Sequence, residues 1–174
     1  MIKAAAQKFF VAAFLLLAVP AHATSAEVGF SPSGGAQQLV ISAIDSAKST
    51  IRLVAYSFTS TPIAKALLQA HQRGVDVQIV LDKSNATARY SAATFLANQG
   101  VPVRIDYRYA IMHDKFIVID GHTIETGSFN FTAGATFRNA ENIIVLHDAP
   151  QIAAVYAREW PRLCDEAEPL PPRY

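Results

Sequence analysis

The sequence of 174 residues holds a single cysteine, Cys164, so no disulfide can form within the chain. The paired Cys and His spacings of a zinc site are missing as well. Neither sign of charge dominates, with 15 Lys and Arg against 14 Asp and Glu. A uniformly basic nucleic-acid-gripping surface is thereby excluded, and any attraction for phosphate has to be local. No apolar run reaches the roughly 20 residues needed to span a bilayer. Gly34-Gly35 is not followed by a Gly-Lys-Ser/Thr signature, which argues against a phosphate-cradling P-loop. Internal repeats and linker-like stretches are lacking too, so one domain is expected.

What is present begins with a leader. Lys3 and Lys8 precede an apolar run of about eleven residues, from Phe9 to Val19, and Ala21-His22-Ala23 fits a small-x-small cleavage site. Residues 1–23 are expected to be a cleaved signal peptide of the bacterial Sec type, since no twin-Arg pair occurs. Residues 24–174 would then form a single catalytic domain, periplasmic or secreted, with no membrane anchor. Cys164 reads as a half-buried residue near the end of the last helix.

Along that domain strand and helix patterns alternate. Strands are expected at 27–30, 51–56, 75–81, 101–105 and 140–147. Helices are expected at 36–49, 61–72, 87–99 and 149–163, the second opened by Thr61-Pro62 and ended by Gly74. Residues 131–138 read as a loop or short helix, and 169–174 as a frayed tail. Such alternation predicts an α/β fold, a mixed and mostly parallel sheet with helices on both faces.

Into this sheet a hairpin is inserted. Asp120-Gly121, between two β-rich runs, suits a type I′ turn because both positions need positive φ. With those two residues as the loop, Ile119 faces His122, Lys115 faces Thr126 and His113 faces Ser128. Alternation then places His113, Lys115, Thr126, Ser128 and Asn130 on one face. Imidazole, ammonium, hydroxyl and amide donors converging there suit a tetrahedral oxyanion, phosphate above all. Glu141 opens the next strand, and a carboxylate of this kind could fix the tautomer of His113. Asp120 has the opposite parity and reads as a stabiliser of the turn.

These residues are similar to a known signature. His113-x-Lys115, Asp120 five positions on, then Gly127-Ser128-x-Asn130, resembles the HKD motif of the phospholipase D superfamily, complete at every position. With one motif in a short exported chain, the resemblance is greatest to the small periplasmic bacterial endonucleases of the Nuc type. It implies a phospholipase D-like sandwich and a phosphodiesterase that uses no metal or other cofactor. His113 would attack phosphorus to form a phosphohistidine, while Lys115, Ser128 and Asn130 hold the phosphate oxygens and Glu141 orients the imidazole. Asp120 and Gly127 would be the structural motif positions.

Such chemistry asks for a second histidine as acid. His122 lies at the far end of the hairpin, roughly 20 Å away, and His71 and His147 have no supporting context, so a two-fold homodimer sharing one active site is expected. DNA is the expected substrate, cut with little regard to sequence, and RNA is a further candidate. Local groups for a groove are Arg104, Arg108, Tyr109 and Arg138, with Lys83, Arg89 and Tyr107 besides. The competing readings are a lipid phosphodiesterase of the phospholipase D type and a non-catalytic phosphate-binding module.

Overall fold

In the computed structural model the described residues are 23–87 and 91–173. The expected signal peptide through residue 22, and Arg89, lie outside them.

Strand β1 (Ser25–Ser31) leads into helix α1 (Ala36–Ser46), followed by β2 (Thr50–Ala55), α2 (Thr61–Gln72) and β3 (Asp76–Asp82). Next come α3 (Ser84–Thr87), α4 (Ala92–Asn98), β4 (Val103–Asp106) and the hairpin β5 (Phe116–Ile119) and β6 (Thr123–Gly127). Helix α5 (Ala133–Phe137), β7 (Glu141–His147), α6 (Pro150–Glu166) and β8 (Glu168–Pro169) complete the order. The strands form one eight-stranded sheet in the order β1-β7-β6-β5-β2-β3-β4-β8.

The α/β class with helices on both faces is as expected. The sheet is mixed, but it is not mostly parallel. Only β2–β3 and β3–β4 pair in parallel, while the hairpin, β7, β1 and β8 all join antiparallel. The reason lies in the connections: β-α-β crossovers generate parallel neighbours, and here only those from β2 to β4 join adjacent strands, while β1-α1-β2 spans three intervening strands.

Alternation along the central strands divides the core in two. Leu53, Ala55, Ile79, Leu81, Ile117, Ile119, Ile143 and Val145 pack against α1, α2 and α4. Val54, Val80, Phe116, Val118 and Ile124 pack against α6 through Ala153, Trp160 and Leu163. Both faces being covered, β2 and β5 read as near-continuous apolar runs. Burying one such side chain contributes about 1.5–3 kcal/mol, so these layers supply most of what positions the strand ends.

Glu125 is the exception. It faces the α1–α2 side of the sheet among apolar neighbours, 1% exposed, with Oε2 lacking any partner. Burial raises its carboxyl to about 8, so near neutral pH the protonated form predominates.

Three local differences from expectation have physical causes. Of the helix expected at 87–99 the described residues show α4, Ala92–Asn98, which starts where the Ser91 hydroxyl accepts from Ala93 N at 3.1 Å. The tail is not frayed: β8 pairs with β4, Leu170 N donates to Val103 O at 2.9 Å and Arg173 N to Asn98 Oδ1 at 2.9 Å. The hairpin register is shifted by one. Asp120 and Gly121 do take positive φ, 51° and 71°, and His122 N reaches Ile119 O at 3.2 Å. Yet Ile119 pairs with Thr123 and Phe116 with Thr126, leaving His122 outside the ladder. Its carbonyl instead accepts from Ala149 N at 2.7 Å, at the start of α6. A one-residue slip exchanges faces, so Thr126 lies on the Phe116 face rather than with Lys115.

Candidate active site

The topology brings many chemically capable residues to one edge of the sheet. Strand β2 ends there just before Tyr56, β3 and β4 end there with Asp82 and Asp106, and the antiparallel β5 begins there after His113 and Lys115. Strand β6 ends there at Gly127-Ser128, β7 begins there at Glu141, and β1 ends opposite it at Ser31. The junction of β2 with β5 is where parallel pairing gives way to antiparallel, the kind of switch point at which α/β sheets bind ligands.

A cleft of about 310 Å³ at this edge is lined by His113, Asp114, Lys115, Phe116, Thr126, Gly127, Ser128 and Tyr156. His113 is exposed and Lys115 is buried. Neither belongs to β5, so strand alternation is not what aligns them. They meet because Lys115 Nζ folds back, donating to His113 O at 2.6 Å and lying 3.2 Å from His113 Nδ1. Burial pushes the Lys115 ammonium down from its usual value, against the upward pull of Asp114 and Glu141. An ammonium only donates, so while Lys115 is charged Nδ1 accepts and the neutral ring carries its proton on Nε2.

Tyr56 completes this arrangement, and sequence reasoning missed it. Its ring centroid is 4.8 Å from that of His113, and Lys115 Nζ sits 5.6 Å from its centre. A tyrosine closing a buried strand carries no local sign of function; only the placement of β2 beside β5 brings it here. Tyr156 of α6, stacked on Phe116 at 5.1 Å, was missed for the same reason.

On the opposite wall Glu141 takes a different role from the expected one. Its Oε2 accepts from Ser128 Oγ at 2.6 Å and its Oε1 from Asn139 Nδ2 at 2.9 Å. No hydrogen bond joins it to His113, whose Nδ1 faces Lys115 instead. Ser128 Oγ also accepts from Asn142 N at 3.1 Å, which fixes the hydroxyl between two strands. Asn130 is not among the residues that line the cleft, and its Oδ1 is buried without a partner.

The two structural motif positions have clear causes. A Cβ on Gly127 would run into the carbonyl oxygen of Asn142 and lie 2.9 Å from Ile143 Cα, so only glycine lets β6 approach β7. Asp120 lies at the far end of the hairpin. Its carboxylate accepts from Lys48 N, Ser49 N, Ser49 Oγ and Thr50 N, each at 2.8 Å. Burial works against its charge, yet these donors prevail and hold the pKa at about 2. It ties the hairpin to the α1–β2 turn.

Most of the expected groove residues are engaged elsewhere. Arg104 donates to Ala167 O at 2.7 Å. Arg108 lies 3.7 Å from Glu166, and Tyr109 donates to Glu166 at 2.7 Å and contacts Arg162. These three fasten the C-terminal part of α6, and none lines the His113 cleft. Lys83 Nζ donates to Tyr109 O at 2.9 Å. Arg138, at the end of α5, is exposed and precedes Asn139, the residue that bonds Glu141, and Tyr107 is exposed as well. Of the other histidines, His122 pairs with Asp148 at 3.5 Å and His147 with Glu27 at 2.8 Å, both remote from this edge. His71 lies at the end of α2.

Residues 40–163 match the family described as cardiolipin synthase, PLD-like domain. The chain belongs to the phospholipase D-like family. A phospholipase D from Rickettsia bellii is 41% identical over 131 residues, covering 75% of this chain and 65% of the relative. A mitochondrial cardiolipin hydrolase from Xenopus tropicalis is 37% identical over 123 residues, covering 71% of this chain and 58% of the relative. The chain thus spans less than two thirds of the length of either. Among solved structures, Nuc of Salmonella typhimurium, a phospholipase D family member, superposes with a TM-score of 0.83 at 46% identity, covering 86% of this chain and 99% of that one. Among the described residues no helix is long and apolar enough to cross a membrane.

Proposed function

We propose that the chain is a phosphodiesterase acting as a largely sequence-independent endonuclease on DNA, with His113 as nucleophile. The observation that carries this is the cleft in which His113, Lys115 and Ser128 face one volume of about 310 Å³. Its scale and donors suit a phosphate, and it lies open at the sheet edge, where a polymer can pass.

In the first step phosphate draws Lys115 Nζ off Nδ1, and the ring proton passes from Nε2 to Nδ1 through water. Nε2 of the neutral His113 then forms a bond to phosphorus as the bond to the leaving oxygen breaks. A second histidine gives that oxygen its proton. Water then attacks phosphorus, its proton returns to the second histidine, and the N–P bond breaks to free His113. Lys115 takes the phosphate charge; in doing so its Nζ leaves Nδ1, freeing that nitrogen to carry the ring proton. Ser128, whose hydroxyl donates to Glu141 in the free site, turns that proton to a phosphate oxygen when phosphate binds, with the Asn130 amide as a further donor.

The second histidine would come from a second copy, because His71, His122 and His147 are placed elsewhere. Exposed Val155 lies beside Asp114, Phe116 and Tyr156, three residues that also line the catalytic cleft. Arg158 and Glu159 line the same surface, so a partner copy could cover it by pairing charges around Val155. Residues 1–23 acting as an export signal would place the enzyme in the periplasm or medium.

A lipid phosphodiester is the second reading, favoured by the names of the Rickettsia and Xenopus relatives. Incubating the purified chain with plasmid DNA, RNA and cardiolipin vesicles, each with and without EDTA, separates the two. Nicking of DNA that persists in EDTA is expected; release of phosphatidic acid with DNA untouched would replace this reading by the lipid one.

A further inference from the structure

At the same sheet edge a second cleft, of about 360 Å³, opens beside β1. Its walls are the end of β1 and the turn after it, the first turn of α1, and the end of α5. Two phenylalanines stand at it largely in water, Phe137 at 70% exposure and Phe30 at 58%. An aromatic ring left in solvent forgoes the transfer free energy that core rings gain, so two at one cleft mark a landing place.

Between them the lining is polar. Gln37 lies there with Ser31, Ser33 and Thr136. The Gln37 Oε1 accepts from Thr136 Oγ1 at 2.9 Å and from Ser60 Oγ at 3.3 Å. Its Nε2 makes no hydrogen bond among the described residues, leaving two oriented donors.

This cleft is coupled to the catalytic one. Ser31 sits directly opposite Glu141 in the β1–β7 ladder, and its hydroxyl donates to Asn139 O at 3.3 Å. Asn139 in turn donates to Glu141, which holds Ser128 in the His113 cleft. Strands β1 and β6 are two spacings apart, roughly 10 Å, and the exposed Arg138 directly follows Phe137. A strand whose phosphate occupies the first cleft can therefore reach the second within a short stretch of backbone.

We propose that the cleft between Phe30 and Phe137 is a nucleobase subsite, in which a base flanking the scissile phosphate stacks on the phenyl rings and accepts from Gln37 Nε2. The assignment rests on the reading of the His113 cleft as acting on nucleic acid. Any base offers a π face, so the subsite strengthens binding without selecting sequence. An acyl chain fits less well, because it would cover Gln37, Ser31 and Ser33 without satisfying them.

The test is binding measured apart from turnover. In a His113→Ala background, fluorescence anisotropy is read for a single-stranded oligonucleotide and for an abasic strand of equal length. Adding Phe137→Ala is expected to weaken binding of the base-bearing strand roughly tenfold and to leave the abasic strand unchanged. Phe137→Trp is expected to restore it. Equal weakening for both strands, or none for either, overturns the subsite. So does a Phe137→Ala variant that loses only binding to cardiolipin vesicles or only self-association. Absence of DNA cleavage by the native chain would count against the nuclease reading alone, since anisotropy does not depend on it.

Discussion

His113 and Lys115 are held by contacts rather than by a strand. The imidazole leans on Tyr56, with ring centroids 4.8 Å apart, and the ammonium lies over the same phenol ring. Tyr56 is therefore a positioning residue, and Tyr56→Ala is expected to lower kcat by about tenfold to a hundredfold through misplacement of the attacking nitrogen. Tyr56→Phe, which keeps the ring, should retain most of the rate. Steady-state kinetics on a DNA substrate distinguishes them; equal loss in both variants would point to the hydroxyl instead. That the motif residues converge was legible from their types and spacing. That Tyr56 joins them was not, because 57 residues separate it from His113 and only the strand order closes the gap. The expected Glu141–His113 contact failed for a related reason: spacing shows which strand end carries a carboxylate, not which neighbour it prefers. Glu141 lies beside Ser128, across the β6–β7 pair, and bonds there.

At the scale of elements, the hairpin carries two carboxyl groups with opposite responses to pH. Asp120 is held near 2 by the backbone donors of the α1–β2 turn, below its ordinary 3.8. Its contribution is present above pH 4 and disappears as pH falls toward 2. After discounting for its partial exposure this is worth about 1–2 kcal/mol. Glu125 runs the other way. Its carboxyl is raised to about 8, so stability is greatest at acid pH and declines as pH rises from 4.5 toward 8. Thermal melts from pH 2 to 9 check both. Asp120→Asn should flatten the acid limb, and Glu125→Gln should flatten the neutral-to-alkaline limb while raising Tm above pH 7. An unchanged Tm–pH curve in either variant would contradict the assignment. The turn itself was legible, since Asp-Gly announces positive φ at both positions. The slip of register was not, because it depends on His122 giving its carbonyl to Ala149 of a later helix.

For the whole molecule, strand–helix alternation conveyed the class of fold, and the late hairpin implied a mixed sheet. The predominance of antiparallel pairing was hidden, since β1 and β7 meet only after the whole chain has passed between them. The same long-range closure explains why Arg104, Arg108 and Tyr109, plausible groove residues by composition, instead fasten α6. A single histidine at the site sets the expectation for assembly. Light scattering should give about twice the chain mass. A tenfold excess of His113→Ala chain, allowed to exchange, should then suppress turnover by the native chain, because a mixed pair holds one histidine where two are needed. Full activity in the mixture, or an active monomer, would rule out a shared site.

Covalent attack by His113 on a phosphodiester would leave an intermediate that can be trapped. Protein mixed with labelled DNA in EDTA is quenched at early times in alkali-stable conditions and run on a denaturing gel. A DNA–protein adduct is expected, mapping to the peptide that bears His113 and missing from His113→Ala. Cleavage that proceeds in EDTA with no adduct at any time, or an adduct on another residue, would contradict it.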